Sequence, residues 1–221
     1  SDIDHFDQLR TIPGLQLHGA PVDVVAAASR LQHGPTLDRV PADVRSSWLA
    51  EPLISFSLLS LQEAMLQAQL SHHDFANRRT AVVFGSSKGG LRAAETLINP
   101  RASVSGSDWT SRFAHSFASD CATRAVAAVT SAKAGAVCPV AACATGLVSL
   151  IQGAAMITSG HCDVCIVGSA DAGLRASVVS SFHRLRVTSR LPNATTACRP
   201  FDVDRDGFVI GEGAATIILE S

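Results

Sequence analysis

Pro139-Val-Ala-Ala-Cys143-Ala-Thr-Gly146-Leu-Val148 is the stretch on which the fold turns. It lies inside residues 134–162, which contain no Asp, Glu, Lys or Arg. A run this long without charge could pass for a membrane span. It is built largely of Ala, Gly, Ser, Thr and Cys, however, with Pro139 near its start and Gln152 inside. A buried strand over residues 138–142, followed at once by a buried small-residue helix over 144–158, accounts for it with fewer assumptions.

The same alternation continues on both sides. Upstream, the apolar run at 80–84 reads as a short buried strand that stops at Gly85-Ser-Ser-Lys-Gly-Gly90, and 53–70 and 113–132 read as helices. Downstream, 163–168 is a second buried strand, 174–185 a helix and 214–219 a closing strand. Glycines and prolines between residues 13 and 41 mark loops and short elements. Strand, helix, strand with apolar strands means an α/β fold with a mostly parallel central sheet.

Composition narrows the function. Apolar residues make up 47% of the 221 and charged residues 17%, which excludes a disordered chain. A formal charge of −1 with no basic stripe gives nucleic acid and anionic membranes no electrostatic handle. Six cysteines do not make a disulfide scaffold in a chain of this size, and no secretory signal opens it; a cytoplasmic location is expected.

Chemistry concentrates at Cys143. A thiol where a strand hands over to a helix sits among unpaired backbone N–H groups at the positive end of the helix dipole. Both favour the nucleophilic thiolate. The small neighbours Ala141, Ala142, Ala144 and Gly146 leave room for a sharp turn and for a thioester to approach, with the Cys143 amide aimed at an oxyanion. Spacing alone favours a plain buried cysteine.

Several strings now carry a resemblance. Ala141-Ala-Cys143-Ala-Thr-Gly146, Gly160-His-Cys-Asp163 and Gly168-Ser-Ala-Asp171 look like the active-site region of β-ketoacyl-ACP synthases, members of the thiolase superfamily. Leu185-Arg-Val-Thr-Ser-Arg190 and Arg199-Pro-Phe-Asp202-Val-Asp-Arg-Asp206-Gly-Phe-Val-Ile-Gly211-Glu-Gly213 resemble the segments that follow, and Phe84-Gly-Ser-Ser-Lys-Gly-Gly90 is similar to the family's glycine loop. Order and number make the match specific.

The resemblance implies a thiolase-like αβαβα layered fold, of which residues 1–221 would be the N-terminal ketosynthase domain. The family's first strand and C-terminal half would be lacking, since neither its His-Gly-Thr nor its Gly-Phe-Gly-Gly string follows Cys143. It implies an acyltransferase, incomplete as this chain alone. Cys143 would accept an acyl group from the phosphopantetheine of an acyl carrier protein or coenzyme A. Decarboxylative Claisen condensation with malonyl-ACP would then form a C–C bond in fatty-acid or polyketide synthesis. No cofactor or metal is implied. The implied partners are the carrier protein, a second subunit in a homo- or heterodimer, and a further chain or C-terminal half supplying the catalytic histidines. The alternative is a non-catalytic, chain-length-factor-like partner of an active ketosynthase.

By the same resemblance, Gly173, Val178 and Phe182 line the acyl channel, and Arg45 and Arg186 lie near the carrier-docking surface, with Trp48 and Leu49 where charges are usual. Lys88 stands where relatives place an apolar residue at the end of the acyl pocket. It either shortens that pocket or meets a polar acyl end, or it turns to solvent or to an interface carboxylate. Two further patterns are set aside. Asp202-Val-Asp204-Arg-Asp206-Gly207 opens like a calcium loop, but Gly213 stands where the bidentate glutamate belongs. Cys162-Asp-Val-Cys165 has no second pair to complete a zinc site, and residues three apart on a strand face opposite sides.

Overall fold

A computed structural model of the chain describes residues 37, 40–98 and 113–221. The chain divides into two compact units: residues 172–212 belong to one, and the described residues up to 171 together with 213–221 form the other.

The larger unit is built on a sheet. Its helices are α1 (Ala42–Ala50), α2 (Pro52–Ala68), α3 (His72–Ala76), α4 (Leu91–Ile98), α5 (Cys121–Thr130) and α6 (Thr145–Thr158). Its strands are β1 (Thr80–Gly85), β2 (Ala136–Val137), β3 (Val164–Asp171) and β4 (Gly213–Glu220), in the order β2-β1-β3-β4. The first three run parallel, with Thr80 opposite Val164 and Gly85 opposite Ser169, and β4 is antiparallel to β3, with Asp171 opposite Gly213. The expected α/β class with a mostly parallel sheet is therefore the observed one.

Both faces of the sheet are covered, which is why β1 is buried at every position and reads as an unbroken apolar run. On one face Ala81, Val83, Cys165 and Val167 cluster with Leu150, Met156 and Ile157 of α6. On the other, α2 packs on β4 and α5, with Ser60 Oγ 2.7 Å from Thr216 Oγ1. Residues 52–58 of α2 are buried all round, so its first half is a core helix and only its second half is amphipathic.

Helix α6 buries its small residues and shows its large ones. Thr145, Ser149 and Gly153 face the sheet, while Leu147 and Ile151 are each 61% exposed. The fully buried helix expected from the uncharged run is thus covered on one side only. Closeness explains the arrangement: a Cβ on Gly153 would lie 2.1 Å from Val167 Cγ1, and one on Gly146 would lie 2.7 Å from Ser169 Oγ. Only residues without bulk let the helix lie that near β3.

Three expectations need correction. The strand before Cys143 is Ala136–Val137, not 138–142; residues 138–141 form an irregular connection, since Pro139 has no N–H to give a neighbouring strand. The helix over 113–132 is interrupted at 117–120, where the Gly90 N–H donates to the Phe117 carbonyl at 3.1 Å and takes it from the helical ladder. Cys162 precedes β3, so strand alternation does not separate it from Cys165, and both sit in the same core cluster.

The smaller unit carries α7 (Ala176–Arg184) and α8 (Ala194–Ala197). Its long loop is closed by a parallel bridge between Thr188 and Phe208 and by Ser189 N–H donating to the Phe208 carbonyl at 2.9 Å. Phe182 meets the Phe208 ring edge-on, with centroids 5.5 Å apart.

Gly153→Val should lower unfolding free energy by about 1–3 kcal/mol, because the added side chain must displace Val167 and Cys165. Urea unfolding of the variant against the parent measures it.

Candidate active site

The turn that carries Cys143 is held by its neighbour on α6. Thr145 is buried, and its Oγ1 accepts from the Ala141 N–H at 3.0 Å and donates to the Ala142 carbonyl at 2.7 Å. Between them residues Ala142–Ala144 make one 3-10 turn, closed by Ala144 N–H to the Ala141 carbonyl at 3.0 Å. Ala142 takes a left-handed φ of 49°, a conformation that costs an L-residue about 1–2 kcal/mol and that the Thr145 clamp sustains.

Cys143, in the middle of that turn, is exposed. Its backbone N–H has no acceptor among the described residues. It opens onto a cleft of about 320 Å³ whose walls are Ser87, Thr145, Ser169 and Asp171, with glycine and alanine between them. The cleft lies where the carboxyl ends of β1 and β3 meet the N-terminus of α6, the position at which parallel α/β sheets offer a crevice. The arrangement presents a reachable sulfur beside an unpaired amide donor, which is what attack on an acyl carbonyl requires.

The other cysteines divide by burial. Burial pushes the Cys121 and Cys165 thiols up to about 12 and raises Cys162 as well. Cys198 is exposed, on the smaller unit.

Lys88 does not turn to solvent. Its ammonium pairs with the Asp171 carboxylate of the same chain and lies 3.3 Å from Ser87 Oγ. Gly173, Val178 and Phe182 belong to the smaller unit, the latter two four residues apart on one side of α7. Arg186 is exposed, with a left-handed φ of 59°. Arg45 is half-buried and donates to the Val40 carbonyl at 3.1 Å. Trp48, read as a surface position, is 5% exposed and belongs to the core.

The acidic loop is spent on its own backbone. Asp206 accepts from Ser189 Oγ at 2.6 Å and Arg190 N–H at 2.8 Å, and these bonds hold its carboxyl below the ordinary carboxylate value. Asp202 accepts from the Asp204 N–H at 2.8 Å, and Glu212 from the Leu174 N–H at 2.9 Å. Among the described residues no three His, Cys, Asp or Glu side chains converge as a metal site, and no helix is long and apolar enough to cross a membrane.

Thr145, Ser87, Ser169 and Asp171 were not singled out from sequence. The Gly168-Ser-Ala-Asp171 string held the signal for two of them, since a strand ending in a carboxylate beside a glycine loop calls for a partner.

Comparison with known proteins gives the family and the fold. Residues 43–221 match the model of the β-ketoacyl synthase N-terminal domain. The 3-oxoacyl-[acyl-carrier-protein] synthase 2 of Staphylococcus aureus (strain N315) is 31% identical over 166 residues, covering 75% of this chain and 40% of that protein. Among solved structures, a β-ketoacyl synthase from Burkholderia phymatum STM815 superposes with a TM-score of 0.69 at 25% identity, over 86% of this chain and 47% of that one. The ketosynthase of a type II PKS, solved in complex with its acyl-carrier protein and bound to the hexaketide, superposes at 0.65 with 27% identity over 77% and 44%. The chain belongs to the β-ketoacyl synthase family and has its thiolase-like fold. It spans about 40% of the length of the curated relatives it matches.

Two predictions follow from the site. Peptide mapping after brief alkylation should find Cys143 and Cys198 modified long before Cys121 and Cys165, whose thiols stay protonated at neutral pH. Because the Asp206 pKa is lowered on folding, its bonds stabilise the loop above the unfolded carboxylate pKa, and that contribution is lost as pH falls through the folded value. An NMR titration should place Asp206 below the ordinary value, and Ser189→Ala should move it upward.

Proposed function

We propose that this chain is the nucleophile-bearing part of a condensing enzyme, a 3-oxoacyl-ACP synthase acting in fatty-acid or polyketide synthesis, and that Cys143 is its acyl-accepting residue. The observation that supports this best is the exposed Cys143 sulfur on a strained turn, beside an amide donor and a cleft. Cys143 Sγ attacks the thioester carbonyl carbon, and the Cys143 N–H receives the negative oxygen. The carrier's C–S bond breaks and its thiol leaves with a proton. Loss of CO₂ from a malonyl thioester gives a carbanion that attacks the acyl carbonyl, expelling Cys143 as thiolate and forming the new C–C bond.

None of the described histidines His72, His73, His115, His161 and His183 lines the cleft, so the decarboxylation step is assigned to groups beyond this set, on a C-terminal half or a partner chain. The exposed Leu147 and Ile151 face of α6 supports a further layer covering it in the whole enzyme, a homo- or heterodimer served by an acyl carrier protein. Arg186 and Arg45 are proposed for carrier docking, and Gly173, Val178 and Phe182 for the acyl channel.

Incubation with an acyl-pantetheine thioester should add the acyl mass to the peptide containing Cys143, and Cys143→Ala should abolish the adduct. In a complete assembly the same variant should lose condensation on the order of 10³-fold or more. Absence of any adduct at Cys143, or an adduct confined to Cys198, would overturn the reading.

A further inference from the structure

We infer that Thr145 is a positioning residue for the oxyanion donor: through the Ala142 carbonyl, its hydroxyl aims and polarises the Cys143 N–H. The inference rests on the reading of Cys143 as the acyl-accepting residue and adds the group that sets its amide. Its structural origin is the planar, trans peptide unit. The Ala142 carbonyl and the Cys143 N–H belong to one such unit and point in opposite directions. Whatever holds the oxygen on one side fixes where the hydrogen points on the other.

Thr145 holds that oxygen twice. Its backbone N–H and its hydroxyl both donate to the Ala142 carbonyl, the hydroxyl at 2.7 Å. The same hydroxyl oxygen accepts from the Ala141 N–H at 3.0 Å. One side-chain atom thus grips the first N–H and the last carbonyl of the Ala141–Ala142 pair. Ala142 between them keeps a left-handed φ of 49°, which an unrestrained alanine would leave.

The direction of the hydroxyl is set in turn by the methyl group on the same carbon. Thr145 is buried, and a Cβ on Gly85 would lie 2.3 Å from its Cγ2. The methyl therefore fills a notch that the glycine at the end of β1 leaves open. Ser149 Oγ donates to the Thr145 carbonyl at 2.9 Å and holds the backbone beneath it. A branched Cβ has few χ1 positions, and with the methyl seated in the notch the hydroxyl faces the turn.

Two effects reach the Cys143 amide from there. A donor on the carbonyl draws charge through the peptide and strengthens the N–H, by about 10–30% per bond. An oxyanion donor also works only when it lies about 2.7–3.1 Å from the place the negative oxygen will occupy. Both effects act in the step where charge grows on the acyl oxygen. Alkylation of the sulfur places no charge on such an oxygen, because the thiolate displaces a halide from saturated carbon. It reads the sulfur alone.

The test measures two rates at Cys143 of the full chain by peptide mass: transfer from the acetyl thioester of N-acetylcysteamine, and alkylation by iodoacetamide. In the transfer the Cys143 S–C bond forms, the donor C–S bond breaks, and N-acetylcysteamine leaves as the thiol with the Cys143 proton. Thr145→Val keeps a methyl in the Gly85 notch and removes the hydroxyl. It should slow acetyl transfer about tenfold or more, towards the roughly 10²–10³-fold of a lost oxyanion donor. Alkylation of the same variant should stay within about threefold of the parent. Thr145→Ala, which adds no bulk, should behave as Thr145→Val does, and Thr145→Ser should recover most of the transfer rate. An equal fall in both rates would show Thr145 shaping the turn as a whole and would overturn the inference. Unchanged transfer in the Val and Ala variants would overturn it too, with Cys143 still the acyl acceptor. No acetyl adduct at Cys143 of the parent would remove both readings.

Discussion

The close approach of α6 to β3 is the contact from which the rest of the site follows. Gly146 and Gly153 give the helix a flank that lies within van der Waals reach of Ser169 and Val167, where any Cβ would collide. Seating the helix this deeply buries Thr145, and a buried Thr145 can reach back to both Ala141 and Ala142. That clamp bends the chain through a left-handed Ala142 and lifts Cys143 out of the packed layer. A bulkier helix would stand off the sheet and leave the clamp without leverage. The sulfur is exposed because its neighbours are small, and the neighbours are small because the helix must lie low.

The sheet contributes the second constraint. Parallel strands end together at one edge, so β1 and β3 deliver Ser87 and Asp171 to the end of the sheet where α6 begins. Because β3 outruns β1, its carboxylate meets the loop that follows β1 and finds an ammonium there. In the smaller unit, polar side chains serve the backbone: Asp206, Asp202 and Glu212 each accept from main-chain N–H groups that the irregular loop would otherwise leave unpaired. A loop that looks like a cation site in one dimension is an anchoring device in three.

Much of this was legible in the residues because it depends on local order. Unbroken apolar runs marked β1 and β3 as buried strands, and the uncharged run after Cys143 marked a helix with many small side chains. The position of Cys143 between extended chain and helix follows from the same short-range pattern. The misread elements depend on partners far along the chain. The long helix breaks at 117–120 because Gly90 claims a carbonyl there, and Cys162 joins Cys165 because it lies just outside the pleat. Trp48 is in the core because α1 packs on α2.

The sequence by itself determined the fold class, the order of the elements and the residue at the turn, since periodicity and side-chain size act over a few residues. Only the tertiary structure decided what surrounds that residue. Lys88 and Asp171 are 83 positions apart, and nothing local couples them; their pairing follows from the register of two strands and the extra length of one. Which face of α6 is buried was decided the same way, by where the sheet lies.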